Sequence, residues 1–278
     1  MSRKRKKTQN TLVDIALLTC GLVDVPVMES CIEGVRREIE TVPSDFHVIM
    51  NGVAKESREV FEGLVRTIPN VKVKYSTEML GFSAAANRVI RQGTSPLVLF
   101  ITDDIILHEG TLEKLVRRMD DPDIGLCGLK LTFPKNSNDP NRPAGRVQHI
   151  GHAIDINGEI VHPLIGWKPE NPKCNVSREL QSVTGGAFMV RRNAFLKAGG
   201  FYEGYGRGYY EDVDLCFSIR INAGKKVFID TEATADHVTN ASFMKVIQKG
   251  VYIPMEQNKM ILRSRWGKYM QNDSWDIW

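Results

Sequence analysis

Over the first 130 residues short β-rich runs alternate with stretches of helical period, an alternation that restricts the chain to parallel βαβ units. Val13 to Thr19 reads as the first strand. Met28, Ile32, Val35 and Ile39 recur at spacings of four, three and four, marking one face of a helix that ends before Pro43. Phe46 to Asn51 is the second strand, and Val60, Phe61, Leu64, Val65 and Ile68 line a second helix. Val71 to Tyr75 makes a third strand and Ser83 to Arg91 an alanine-rich third helix. The next strand, Leu97 to Ile101, is apolar at every position, as expected where helices cover both faces of a sheet. It runs into Thr102, Asp103 and Asp104. Ligands in open α/β sheets bind outside the carboxyl ends of the strands, which is where this carboxylate pair falls.

The rhythm breaks over residues 133 to 181, where Pro134, Pro140, Pro143, Pro163, Pro169 and Pro172 stand among many Asn and Gly residues, predicting an irregular excursion or lid. Beyond it, Val183 to Val190 reads as a strand broken by Gly185 and Gly186, and Glu211 to Asn222 as a helix. Val227 to Ile229 and Ala233 to His237 read as two short strands. The last 40 residues carry mixed helical patterning, and two of their three tryptophans, Trp266 and Trp275, could stack on sugars or pack into a core.

Composition narrows the class. At 278 residues, 42% hydrophobic and 25% charged, the chain can bury a large core and is not disordered. Its longest apolar run falls far short of the roughly 20 residues of a membrane-spanning helix. The opening MSRKRKKTQN has no apolar stretch behind it of secretory length, so a cytoplasmic location is expected. Five widely spaced cysteines without a CxxC pair fit neither a disulfide framework nor a zinc cluster. The net charge is +4, but Arg3, Lys4, Arg5, Lys6 and Lys7 supply five positive charges, which leaves the rest at −1. The basicity therefore belongs to an arm. Solvation is its expected state, with peripheral contact at the inner face of a membrane an open alternative and no specific nucleic-acid partner expected.

Three groups carry chemistry. Adjacent carboxylates at a strand end repel unless a cation or hydrogen-bond donors offset them, so Asp103 and Asp104 suggest a divalent metal site; turn formation and helix capping are the competing explanations. Glu211, Asp212 and Asp214 open a helix, where the macrodipole favours acids. Positions 211 and 212 diverge by about 100° around that helix, so two carboxylates can take two roles. His237, just after a predicted strand, is either a core histidine or a metal ligand.

Taken together, these segments resemble the family 2 glycosyltransferases of the GT-A fold, particularly their rhamnosyltransferase-like branch. The likeness covers about residues 13 to 242 and rests on LGFSAAANR at 80 to 88, LFITDD at 99 to 104, RVQHIGHAID at 146 to 155, TGGAFMVRRNAFLKAGGF at 184 to 201, YYEDVDLCFSIR at 209 to 220 and ADHV at 235 to 238. It implies an α/β fold with a Rossmann-like, mostly parallel central sheet flanked by helices and a small acceptor-side subdomain. The implied organisation is a basic arm (1 to 11), a glycosyltransferase domain (12 to 242, divided into a nucleotide-binding half, 12 to 131, and an acceptor half, 132 to 242) and a C-terminal helical tail (243 to 278).

Roles follow where residues match. The resemblance implies that Asp104 and His237 ligate Mn²⁺ or Mg²⁺ beside the donor diphosphate, and that Asp103 holds the ribose or assists the metal. Thr19, Asn51, Gly81, Asn87, Gly185 and Gly186 fall on the donor side, and the two glycines let backbone approach the sugar. Asp212 corresponds to the catalytic carboxylate of the [E/D]D motif; Glu211 and Trp266 are the expected acceptor contacts. Where relatives carry an Asp on the second strand, in a VDNGS-like sequence that contacts the nucleobase, this chain has Met50 followed by Asn51 and Gly52.

The implied activity is inverting transfer of a hexosyl or deoxyhexosyl group from a UDP-, dTDP- or GDP-sugar to a glycan or glycolipid hydroxyl in polysaccharide biosynthesis, with Asp212 as general base. A non-catalytic sugar-nucleotide or glycan-binding protein on the same scaffold is the alternative. A nucleotidyltransferase would need a glycine-rich phosphate loop with a basic residue after the first strand, where this chain has CGLVDVP.

Overall fold

The computed structural model describes residues 11–238 and 252–274. The arm at 1–10, much of the start of the tail and Trp275 lie outside these residues. β1 (Val13–Thr19), β2 (Ser44–Asn51), β3 (Lys72–Ser76) and β4 (Leu97–Thr102) are parallel neighbours. The helices α1 (Val25–Thr41), α2 (Lys55–Val65) and α3 (Phe82–Ile90) connect them. The paired registers Thr19 with Met50 and Leu18 with Thr102 bring the carboxyl ends of β1, β2 and β4 level with one another. The ligand face of this half is thereby set.

After β4 come β5 (Ile105–Leu107), α4 (Thr111–Arg118) and β6 (Ile124–Thr132). Every residue of β6 is buried, yet IGLCGLKLT carries two glycines and a lysine that dilute its β pattern, and the sequence reading passed over both it and α4. Lys130 is accommodated because its Nζ donates to Asn175 Oδ1 at 2.6 Å. The stretch expected to be irregular contains β7 (Val147–His149), β8 (Ala153–Ile154), β9 (Ile160–Val161) and β10 (Arg178–Leu180). These strands have two or three residues each. Their brevity hides the two-residue period from a sequence reading.

The strand expected over 183–190 is instead β11 (Ala187–Arg191), preceded by a turn at Gly185 and Gly186. It is followed by α5 (Arg192–Ala198) and α6 (Glu211–Ile221). The two short strands expected near the end are one strand, β12 (Lys226–His237), with a register irregularity between Asp230 and Thr234. Near the end of the described residues comes α7 (Met255–Trp266), followed by a 3-10 turn at Gly267–Tyr269.

Among the described residues the sheet has ten strands, ordered β10-β12-β6-β11-β4-β1-β2-β3, with β5 on β12 and β7 on β6. β11 runs antiparallel between β4 and β6, whereas β12 is parallel to β6. Apolar layers cover both faces: Ile15, Leu99, Leu129 and Met189 pack with α1 and α2 on one, and Ala16, Phe100, Leu126 and Phe188 with α3, α5 and α6 on the other. A small third cluster joins Phe217 of α6 to Leu262 and Trp266 of α7. Among the described residues no helix is long and apolar enough to cross a membrane.

Candidate active site

A cavity of about 590 Å³ opens at the carboxyl ends of β1, β2 and β4. Asn51, Asp103, Asp104, Gly185, Gly186, Glu211, Asp212 and His237 all line it. Residues expected to act together from five separate segments of sequence thus meet on one surface.

Thr19 Oγ1 donates to Asp103 Oδ2 at 2.6 Å and Thr102 Oγ1 to Asp104 Oδ1 at 2.6 Å, so each buried carboxylate has a hydroxyl partner. Thr19 in turn accepts the Gly21 N–H at 3.0 Å, which fixes its hydroxyl toward Asp103. β12 pairs His237 with Ile105 of β5, and this pairing returns the imidazole to the carboxylate: His237 Nε2 lies 3.4 Å from Asp104 Oδ2. His237 Nδ1 lies 3.3 Å from Gln148 Oε1, which orients the ring. Burial opposes charge on Asp104, but His237 and Thr102 outweigh it and hold the carboxyl below its ordinary range. The Asp104 carboxylate beside the His237 imidazole offers an oxygen and a nitrogen donor side by side, a pair that suits Mn²⁺ as well as harder divalent ions. Gly186 sits against this pair; a Cβ there would stand 3.3 Å from His237 Cε1.

Elsewhere on the same wall, Asp212 is fixed from two sides. Gly185 N donates to Oδ2 at 2.9 Å and Val213 N to Oδ1 at 2.8 Å. A Cβ on Gly185 would lie 3.0 Å from that of Asp212, so glycine permits the approach. Burial raises the Asp212 carboxyl above its ordinary value despite these two donors. Glu211 is more strongly affected: burial, with Asp212 beside it, pushes it up to about 8. Among the described residues its Oε2 has no hydrogen-bond partner. Just before it, Tyr209 (φ 83°) and Tyr210 (φ 74°) are held in the left-handed region, and both line the cavity. Side chains are disfavoured there, and such strain concentrates at functional sites.

Four expected site residues stand behind the cavity wall. Thr19 acts through Asp103. Gly81 lets two backbones meet, since a Cβ would fall 1.9 Å from Gly206 O. Asn87 is a buried clamp whose Nδ2 donates to Phe201 O and Glu203 Oε1, both at 2.9 Å, while Oδ1 accepts the Phe201 N–H at 2.9 Å. Trp266 requires a correction: it is 6% exposed, stacked on Phe217, and its Nε1 donates to Asp214 Oδ2 at 2.7 Å, so its ring offers no open face to a sugar. Asp214 itself is fully buried and collects Tyr205, Arg265 and Trp266, which makes it the anchor of α7 and not a cavity group.

Asn51 lines the cavity while clamping the loop between β3 and α3, accepting from Leu80 N at 2.8 Å and donating to Leu80 O at 3.1 Å. Gln148, His152, His162 and Arg207 also stand on the wall, at positions the sequence does not mark as site residues. Gln148 and His152 lie in RVQHIGHAID and Arg207 in the glycine-rich run before Glu211, so their segments were visible and their roles were not.

Residues 25–198 match the family model for glycosyl transferase family 2. Among curated proteins, the chain is 30% identical over 170 residues to the O-antigen biosynthesis protein RfbC of Myxococcus xanthus, covering 58% of this chain and 12% of that one. It is 25% identical over 179 residues to protein y4gI of Sinorhizobium fredii, covering 62% and 19%. The match therefore spans less than a fifth of either relative. Solved structures share the fold: the mannosyltransferase PcManGT of Pyrobaculum calidifontis, in complex with GDP-Man and Mn²⁺, aligns with a TM-score of 0.57 at 14% identity over 83% of this chain and 58% of that one. GalNAc-T7 with UDP, GalNAc and Mn²⁺ aligns with a TM-score of 0.62 at 12% identity over 84% and 44%. With the mixed sheet and its flanking helices, these neighbours identify an α/β fold of the GT-A type.

Proposed function

This chain belongs to glycosyl transferase family 2, and on that premise we propose that it is an inverting, metal-assisted enzyme that moves a hexosyl or deoxyhexosyl group from a nucleoside-diphosphate sugar to a glycan or glycolipid hydroxyl. The observation that carries the reading is one cavity lined by both the Asp104–His237 pair and the doubly held Asp212.

Asp104 and His237 would hold the divalent ion, Mn²⁺ or Mg²⁺, with Asp103 beside them. When bound, the ion supplies positive charge that stabilises the diphosphate as it departs. Arg207 on the same wall adds a fixed cation toward the donor. Gly185 and Gly186 let the donor sugar lie against backbone.

A hydroxyl is a poor nucleophile at neutral pH. Asp212, its carboxylate aimed by two amide donors, takes the proton as the acceptor oxygen attacks the anomeric carbon from the face opposite the leaving group. Such a base is worth about 10² to 10⁴ in rate. Inversion needs no second nucleophile, unlike the double displacement of retaining hydrolases. The partly buried, strained entry to α6 favours a catalytic site over a passive sugar-nucleotide binder, because binding alone has no need of a carboxylate kept in low-dielectric surroundings. Residues 12 to 242 form the transferring unit in this reading, acting in polysaccharide assembly on the cytoplasmic side, as a member of the rhamnosyltransferase-like branch.

A thermal-shift screen of UDP-, dTDP- and GDP-sugars with and without Mn²⁺ tests the proposal. One donor class should stabilise the protein in a metal-dependent way, by about 2.7 kcal/mol at 100 times its Kd. Release of the matching nucleoside diphosphate should then depend on an added acceptor. Stabilisation by none of the donors overturns the reading.

A further inference from the structure

Three imidazoles, His149, His152 and His162, pack edge to face at the cavity, His152 and His162 on its wall and His149 behind them, with ring centroids 4.7 to 5.2 Å apart. Their nitrogens lie within 4.8 Å of one another, close enough to suggest a three-histidine metal centre. The hydrogen bonds point elsewhere. Thr184 N donates to His149 Nε2 at 3.1 Å, and a backbone amide can only donate, so that nitrogen carries no proton. The neutral ring must then be protonated at Nδ1, which lies 3.1 Å from His162 Nδ1. His149 is the donor in that bond and His162 Nδ1 the acceptor, which leaves the His162 proton on Nε2. A metal at His149 Nδ1 would require both ring nitrogens bare, an imidazolate with an amide donor at its back.

The loop that imposes this order is the one that aims Asp212. Thr184 N sets the tautomer of His149, and the next amide, Gly185 N, binds Asp212 Oδ2. His162 and Asp212 line the same cavity, where the carboxylate charge acts on the imidazole. We propose that Thr184 and His149 hold His162 as its neutral Nε2–H tautomer, and that His162 presents this N–H as an acceptor-positioning donor to a lone-pair oxygen of the acceptor beside Asp212. Burial, which depresses His162 and His152 to about 3, keeps the rings neutral at working pH, so the donor does not switch to a cation. His152, its Nδ1 3.1 Å from Ser182 Oγ, wedges the other two rings in place.

The acceptor contact rests on the transferase reading above; the tautomer does not. Long-range ¹⁵N–¹H NMR of the labelled full chain, without donor, acceptor or metal, should find His149 as the Nδ1–H form and His162 as the Nε2–H form, both neutral from about pH 5.5 to 8. His162 found as Nδ1–H or as imidazolium near pH 6 overturns the proposal, as does a joint shift of all three rings on addition of Zn²⁺ alone. In transfer to methyl hexopyranosides, His162→Leu should raise the acceptor KM about tenfold and His162→Gln, whose amide N–H reaches the same position, should recover most of it. Equal effects of the two substitutions, or a change confined to the donor KM, overturn the positioning role. Failure of donor binding in the screen above would sink the transferase reading and leave the NMR result standing.

Discussion

Gly185 donates its backbone N–H to Asp212 Oδ2 across 2.9 Å, so the turn before β11 aims the carboxylate at the start of α6. Asp212→Asn should lower kcat by about 10² to 10⁴ with donor affinity near that of the wild type. Single-turnover kinetics beside a donor titration check this, and substantial residual activity would assign the base elsewhere. Gly185→Ala, which sets a Cβ 3.0 Å from that of Asp212, should lower kcat in the same assay.

His237 lies beside Asp104 on the same cavity, Nε2 3.4 Å from Oδ2. His237→Ala should raise the Mn²⁺ concentration for half-maximal donor binding by at least about tenfold, the lower range seen even for outer partners of metal ligands. Isothermal titration with and without donor measures it. An unchanged metal requirement would return His237 to a structural role.

Glu211 gives stability a pH dependence of known sign. Its carboxyl rises from the ordinary 4.5 to about 8 in the fold, so the folded chain binds a proton that the unfolded chain has released. The contribution is complete below about pH 4.5 and is lost as pH rises toward 8. Glu211→Gln should therefore flatten the decline in Tm across that window, while a parallel pair of Tm curves would exclude Glu211 as its source.

Asp214 accepts from Tyr205 Oη at 2.9 Å, Arg265 Nε at 2.5 Å and Trp266 Nε1 at 2.7 Å, with its carboxylate fully buried. Asp214→Ala strands these donors and a charge, at a cost of about 3 to 5 kcal/mol. Urea unfolding should register the loss together with early release of α7. A loss below about 1 kcal/mol would show that α7 docks by its apolar contacts alone.

The parallel half of the sheet was legible from sequence because its signals are local. Apolar runs such as Leu97 to Ile101 and the helical face of Met28, Ile32, Val35 and Ile39 report burial by periodicity alone. β6 escaped because Gly125, Gly128 and Lys130 interrupt its pattern, and each is tolerated only through a neighbour distant in sequence. A Cβ at Gly128 would meet Val183, and Lys130 has Asn175. The strands of two or three residues in the 133–181 stretch are likewise stabilised by their partners and not by their own propensity.

Residue type and order in the chain by themselves determined the fold class, the place of Asp103 and Asp104 at a strand end, and the acidic opening of α6, since strand period and helix period are properties of neighbouring residues. Only the tertiary structure divided that opening into a cavity pair, Glu211 and Asp212, and a core anchor, Asp214. It also turned Trp266 inward and joined Thr184 to His149 and His162. Each of these outcomes depends on what approaches from elsewhere in the chain, and both the protonation of a buried group and the direction of a hydrogen bond follow from that approach.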